Sequence, residues 1–139
     1  MHLDKQALGA MSRCCRPAAH SNKSGAHTVS RAQIVRDIYR AFSKGDRGLI
    51  EQTFSDDFTF SSPLDVGLDR KGYFDRCWPG AGQGGEFTFV RMIESSDEVI
   101  VTYEFTNAAT SHRGRNTEIF SFVGDKVRAV EVYFGWNVH

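Results

Sequence analysis

Long apolar runs are missing from this 139-residue chain, and no stretch approaches the ~20 consecutive apolar residues that a membrane span requires. An excess of either charge is missing as well. Lys and Arg together number 17, as do Asp and Glu, so the formal net charge is zero. Phosphate neutralisation needs a cationic excess on one face, and so does a polybasic membrane-surface segment. Neither nucleic acid nor membrane is therefore expected as a partner. The first thirty residues lack the continuous apolar core of a secretory signal. Cysteine is too scarce for a disulfide framework: Cys14 and Cys15 are adjacent and Cys77 stands alone. A cytoplasmic protein is expected. There is no Gly-x-Ser-x-Gly elbow, no phosphate loop and no His-Glu-x-x-His pair, so neither cofactor nor metal is expected.

Aromatic residues, by contrast, are plentiful. They make up 12% of the chain with eleven Phe, and hydrophobic residues as a whole make up 40%, enough for a packed core. The length suits one domain. Its character changes near residue 29. Residues 1–28 hold three of the five His among Ser, Asn, Lys, Gly and Ala, with no apolar periodicity beyond Leu3 and Leu8. Such a segment buries too little surface to offset chain entropy, so a disordered arm is expected there and a single domain over 29–139. No lipidation signal accompanies Cys14-Cys15, and His20 and His27 lack metal-ligand spacing.

From Val29 the signals sharpen. Ser30-Arg31-Ala32-Gln33 reads as a capping box, and Ile34, Ile38 and Phe42 follow at four-residue intervals on one helical face. Gly45 ends that helix, and Asp46 caps a second that turns Leu49, Ile50, Thr53 and Phe54 inward. Ser55-Asp56-Asp57 is expected to break it. Phe58 to Ser62 alternates as a strand that stops at Pro63. Asp69 caps a third helix with Tyr73, Phe74, Cys77 and Trp78 on one face. Past a glycine-rich loop at 80–85, read as flexible and suited to act as a lid, the period changes to two. Strands are expected over 86–93, 98–106, 116–122 and 126–136, with tight turns between the first pair and the last. Helices followed by antiparallel strands, in the order α-α-β-α-β-β-β-β, give an α+β fold.

Several stretches resemble a known family. "IYRAFSKGDRGLIEQTFSDDFTFSSP", followed by a short helix, and the closing "NTEIFSFVGDKVRAVEVYFGW" are similar to the nuclear transport factor 2-like superfamily in its SnoaL-like branch. The resemblance spans about residues 31–136. It implies a cone in which a curved antiparallel or mixed sheet wraps three amino-terminal helices and leaves an apolar pocket at the open end. Its members include isomerases, cyclases, dehydratases, epoxide hydrolases and proteins that only bind or dimerise, so fold does not fix function.

Strand parity then names the residues that face the cone. On the resemblance they are Phe58, Phe60 and Ser62; Val99, Val101, Tyr103 and Phe105; Glu118, Phe120 and Phe122; and Val130, Val132, Phe134 and Trp136. Glu118, in phase with Phe120 and Phe122, stands out. A carboxylate in an apolar cavity must be paired, hydrogen-bonded or protonated. Either it is catalytic with Tyr103 as its partner, or it is a structural group bonded to Tyr103 or to a helix residue. Phe60, Ser62, Val101, Phe105, Phe120, Val132, Phe134, Trp136 and Trp78 are the expected substrate-binding residues.

The family's known active sites fit only in part. An isomerase of this superfamily pairs an Asp base with a phenol and a protonated acid. Here the base falls on Ser62 and the phenol on Ile38, with Tyr39 about 100° round the helix. Only Glu118 matches. The epoxide-hydrolase pattern becomes Asn116-x-Glu118, with valines on the last strand. Dehydratase histidines are absent too, since the folded part holds only His112, in a polar loop, and terminal His139. Cys77 beside Trp78 reads as core. Two functions stay open. One is an isomerase, cyclase or lyase acting on a small apolar carbonyl or hydroxyl compound. The other is a non-catalytic binding or dimerisation module whose cone is filled by its own aromatics. The opposite sheet face, with Thr102, Glu104, Glu131, Tyr133, Ile100 and Val127, is expected to pair with a second copy as a homodimer.

Overall fold

The computed structural model describes residues 29–139, so the expected arm and Cys14-Cys15 lie outside the described residues. Ser30 opens helix α1 (Arg31–Lys44) by accepting the Gln33 N–H on its hydroxyl at 3.1 Å. The capping box is only half made, because the Gln33 amide donates forward to Asp37 at 3.0 Å instead of reaching back. Gly45 closes α1 in the left-handed conformation at φ 75°, where a side chain is strained. Asp46 caps α2 (Arg47–Thr53) through the Leu49 N–H at 3.2 Å. No break follows: β1 (Phe54–Ser61) begins at once. Asp69 caps α3 (Arg70–Arg76), which runs into a single 3₁₀ turn at Trp78–Gly80.

The last four elements are β2 (Glu86–Ser95), β3 (Glu98–Thr106), β4 (Arg113–Val123) and β5 (Lys126–Asn137). With β1 they form a five-stranded sheet in the order β1-β5-β4-β3-β2, open at both edges. Only β1 pairs in parallel, against β5. The architecture is α+β, three helices against one face of a mixed sheet. Val35 and Ile50 of the helices meet Phe58, Val99, Val101, Phe120 and Val127 of the sheet, all at most 2% exposed. Roughly 1.5–3 kcal/mol per large apolar side chain so buried is what holds the helices down.

Parity sorts the two sheet faces until a strand gains or loses a residue. Val99, Val101, Tyr103, Phe120, Phe122, Val130 and Val132 are buried on the helix side. Between Asn116↔Phe134 and Gly114↔Asn137, β5 carries one residue more than β4. That extra residue turns Trp136 away from the helices onto the face of Arg115, whose guanidinium lies 5.4 Å from its ring. Phe134, opposite Asn116, is 51% exposed, so it too is not enclosed. A second shift, between Ser121↔Ala129 and Phe122↔Val127, brings Val127 inward, where it is fully buried. Val127 therefore does not belong to the outer face. Ser62 leaves the sheet altogether: its hydroxyl accepts the N–H groups of Leu64 and Asp65 in a turn.

Candidate functional site

Glu118 sits midway along β4, between Val101 on β3 and Val132 on β5. Tyr103 lies two residues on from Val101, so its ring leans over the same face and its hydroxyl donates to Glu118 Oε1 at 2.7 Å. The other oxygen is met from the helix layer. Tyr39 of α1 donates to Glu118 Oε2, also at 2.7 Å. One carboxylate thus receives two phenols from two layers of the fold. Asn116 supports the group from the next inward position on β4. Its Nδ2 approaches the Tyr103 hydroxyl at 3.4 Å, and its Oδ1 accepts the Gly135 N–H at 3.2 Å.

Aromatic edges hold the phenols in place. The Tyr39 ring meets Phe87, Phe89 and Tyr103 at 5.1–5.2 Å between centroids, and Phe120 at 5.9 Å. Protein surrounds the Glu118 carboxyl, and the half-buried residue lines the adjoining cavity. Desolvation raises its pKa above 4.5, and the bonds from Tyr103 and Tyr39 pull back against that rise. Burial and the neighbouring carboxylate raise both phenols, so they stay protonated donors.

The cavity bounded by this cluster measures about 270 Å³. Ile38, Tyr39 and Phe42 come from α1, Phe54 and Phe60 from β1, and Tyr73 and Cys77 from α3 and its end. Phe87, Tyr103, Phe105, Asn116, Glu118, Phe120 and Val130 complete it from the sheet. The Tyr73 ring packs on Phe54, Phe58 and Phe60, and its hydroxyl has no hydrogen-bond partner among the described residues. Burial pushes the Cys77 thiol up to about 11, which keeps it protonated and unreactive near neutral pH. Among the described residues, no three His, Cys, Asp or Glu side chains cluster as metal ligands.

Of the expected site residues, Glu118, Tyr103, Phe60, Phe105 and Phe120 come together around this cavity. Val101 and Val132 are buried beside Glu118 but do not line it. Trp78 packs on Phe42 and Phe74 at 5.8 Å, outside the lining. Ser62, Phe134 and Trp136 lie elsewhere, for the reasons given above. Tyr39, Asn116 and Tyr73 are members that sequence reasoning passed over. For Tyr39 a signal existed: Val35 and Tyr39 form a second four-residue step beside Ile34, Ile38 and Phe42, and both are buried. A helix cradled by a curved sheet buries a wider arc than one stripe.

A family model for the SnoaL-like domain matches residues 35–130, from the first helix into the last strand. The chain belongs to this family. No curated protein matches the chain. Solved structures do match this SnoaL-like domain. A nuclear transport factor 2-like protein of unknown function from Cytophaga hutchinsonii superposes with a TM-score of 0.64 at 13% identity, covering 80% of this chain and 95% of that one. A proposed ketosteroid isomerase from Kribbella flavida gives 0.66 at 13%, covering 78% and 80%. A proposed polyketide cyclase from Acidithiobacillus ferrooxidans gives 0.62 at 18%, covering 75% and 87%. At such identities the likeness is one of fold. Among the described residues of the SnoaL-like domain, no helix is long and apolar enough to cross a membrane.

Proposed function

We propose that this SnoaL-like protein binds a small apolar molecule bearing a carbonyl or hydroxyl oxygen, and that Glu118 receives that oxygen. One observation carries the reading: the carboxyl held by Tyr39 and Tyr103 is the charge-capable focus of a cavity walled mainly by aromatic and aliphatic side chains. Each carboxylate oxygen has a lone-pair site left after accepting one phenol. A ligand hydroxyl can donate there. When Glu118 carries a proton, which burial favours, a ligand carbonyl can accept it. Phe60, Phe105 and Phe120 supply apolar contact, and Tyr73 offers a second hydroxyl.

The chemistry this supports is acid-assisted. The remaining ionisable groups of the cavity, Tyr39, Tyr73, Tyr103 and Cys77, are all pushed toward their protonated forms. Polarising a carbonyl, or easing the loss of a hydroxyl as water, needs a proton donor of this kind. Abstracting a carbon-bound proton with a separate base finds no second carboxylate here. An isomerase, cyclase or lyase working through Glu118 is thus the enzymatic form of the proposal.

A binding module in which Glu118 is purely structural draws on one observation as well, since both of its oxygens already accept a phenol. The two readings differ in a thermal-shift screen of hydroxylated and carbonyl-bearing aromatic rings beside hydrocarbons of the same shape. Oxygenated rings should raise the melting temperature at millimolar concentration, by the linkage of binding to folding, and hydrocarbons should do so less. Equal response to both sets would set Glu118 aside. On the outer face, Ile93, Tyr133 and Trp136 are each at least 50% exposed, which supports pairing of two copies through that face.

A further inference from the structure

A second cavity, of about 260 Å³, lies against the one at Glu118. Phe42, Phe87 and Phe105 line both and form their common wall. Beyond that wall the second chamber is bounded by exposed loop residues, Gln83 on one side and Asn107 and Ala108 on the other, so it stands on the solvent side. None of its lining side chains is ionisable.

Both loops are tied down by their own bonds. Gly82, at φ 71°, donates its N–H to the Phe42 carbonyl at 2.8 Å and packs its backbone against Gly45. A Cβ on either glycine would sit 3.4 Å from the other's Cα. Opposite, Asn107 Oδ1 accepts the N–H groups of Ala109 and Thr110 at 2.9 and 3.2 Å, and its own N–H donates to the His112 carbonyl. The glycine-rich loop is therefore a fixed rim in this structure. The Phe105 ring lies across its strand partner Gly114, where a Cβ would come within 2.6 Å of it. Phe42 and Phe87 meet edge to face at 6.2 Å and are only partly buried.

We infer that the second chamber is a subsite for the same ligand, which is longer than the acid chamber: an oxygen-bearing ring at Glu118 with an uncharged apolar chain passing the Phe42–Phe87–Phe105 wall toward Gln83 and Asn107. This rests on the reading of the acid chamber proposed above. Size supports it, because about 270 Å³ falls below the ~300–1,000 Å³ usual for ligand sites, while the two chambers joined fall well within it. Chemistry supports it too. A chamber without ionisable groups suits an uncharged chain, and the side-chain amides of Gln83 and Asn107 at its rim suit a terminal oxygen.

The test is a calorimetric titration of 4-alkylphenols, from 4-methylphenol to 4-hexylphenol, into the wild type and Ala108→Trp. Burying the chain should strengthen binding by roughly three- to fourfold per added methylene in the wild type. In Ala108→Trp, which fills the second chamber from an exposed loop, that gain should stop at the shortest chains. Gln83→Trp fills the chamber from the opposite loop and should stop it in the same way, which covers a failure of either variant to fold. Wild-type affinity that ignores chain length, or an equal gain in both filled variants, would overturn the subsite and leave the acid chamber standing. If no phenol binds at all, the acid-chamber reading falls and the subsite with it.

Discussion

Among single residues, what matters most is how Glu118 holds its proton. Burial raises its pKa above the ordinary 4.5, so the folded state binds that proton more tightly than the unfolded chain does. Its contribution to stability is therefore complete below about pH 4.5 and is withdrawn as pH rises through the raised value. Glu118→Gln has no proton to lose there. Urea unfolding from pH 4 to 8 should show wild-type stability falling relative to the variant as pH rises, and parallel curves would contradict a raised pKa. The two phenols act in the other direction, since each bond favours the charged form. Tyr39→Phe and Tyr103→Phe should each raise the Glu118 pKa further, as read from its carboxyl carbon by NMR. Each should also cost about 1–3 kcal/mol, because a buried acceptor loses its donor. Alternation, with the inward face taken from the family resemblance, singled out Glu118 and Tyr103. Tyr39 escaped because it stands one position off the stripe of Ile34, Ile38 and Phe42, and nothing local tells how wide an arc the sheet will cover.

At the scale of elements, caps and turns were legible and bulges were not. Ser30, Asp46 and Asp69 each begin a helix as their side chains dictate, and β3 spans the residues its alternation marks. Those signals are local. A bulge depends on how two strands match, and counting straight through β5 misplaced Trp136 and Val127 for that reason. Gly135 is the residue that permits the first of these shifts. A Cβ there would collide with the Arg115 carbonyl. Gly135→Ala should therefore lower stability by about 1–3 kcal/mol, the cost of forcing a Cβ against packed backbone. It should also loosen Trp136, seen as a red shift of its fluorescence. Gly48→Ala, whose Cβ would meet only the Asp46 side chain at 3.8 Å, serves as the control and should be neutral or stabilising. Equal effects of the two would remove the bulge from the account.

For the molecule as a whole, the run of helices followed by strands, together with the resemblance, was enough for the α+β class and for helices on one face. The parallel pairing of β1 with β5 is a long-range contact with no mark in either segment. The cavity is equally a property of the assembled layers, since its lining comes from all parts of the described chain. The outer face supports the dimer proposal, with Tyr133 54% and Trp136 65% exposed. Sedimentation at tens of micromolar, on the order of concentrations where such interfaces persist, should give a dimer. Tyr133→Glu should then shift it toward monomer, and a monomeric wild type would overturn the pairing.

The most direct measurement joins stability and binding in one variant. Glu118→Gln is nearly isosteric, and its amide can still bond the phenols, so it should fold with a melting temperature within a few degrees of the wild type. Titrated with 4-ethylphenol, it should bind at least tenfold more weakly, about 1.4 kcal/mol, because the acid that meets the ligand oxygen is gone. An unchanged affinity together with a lowered melting temperature would make Glu118 a structural group and contradict its place as the centre of the site.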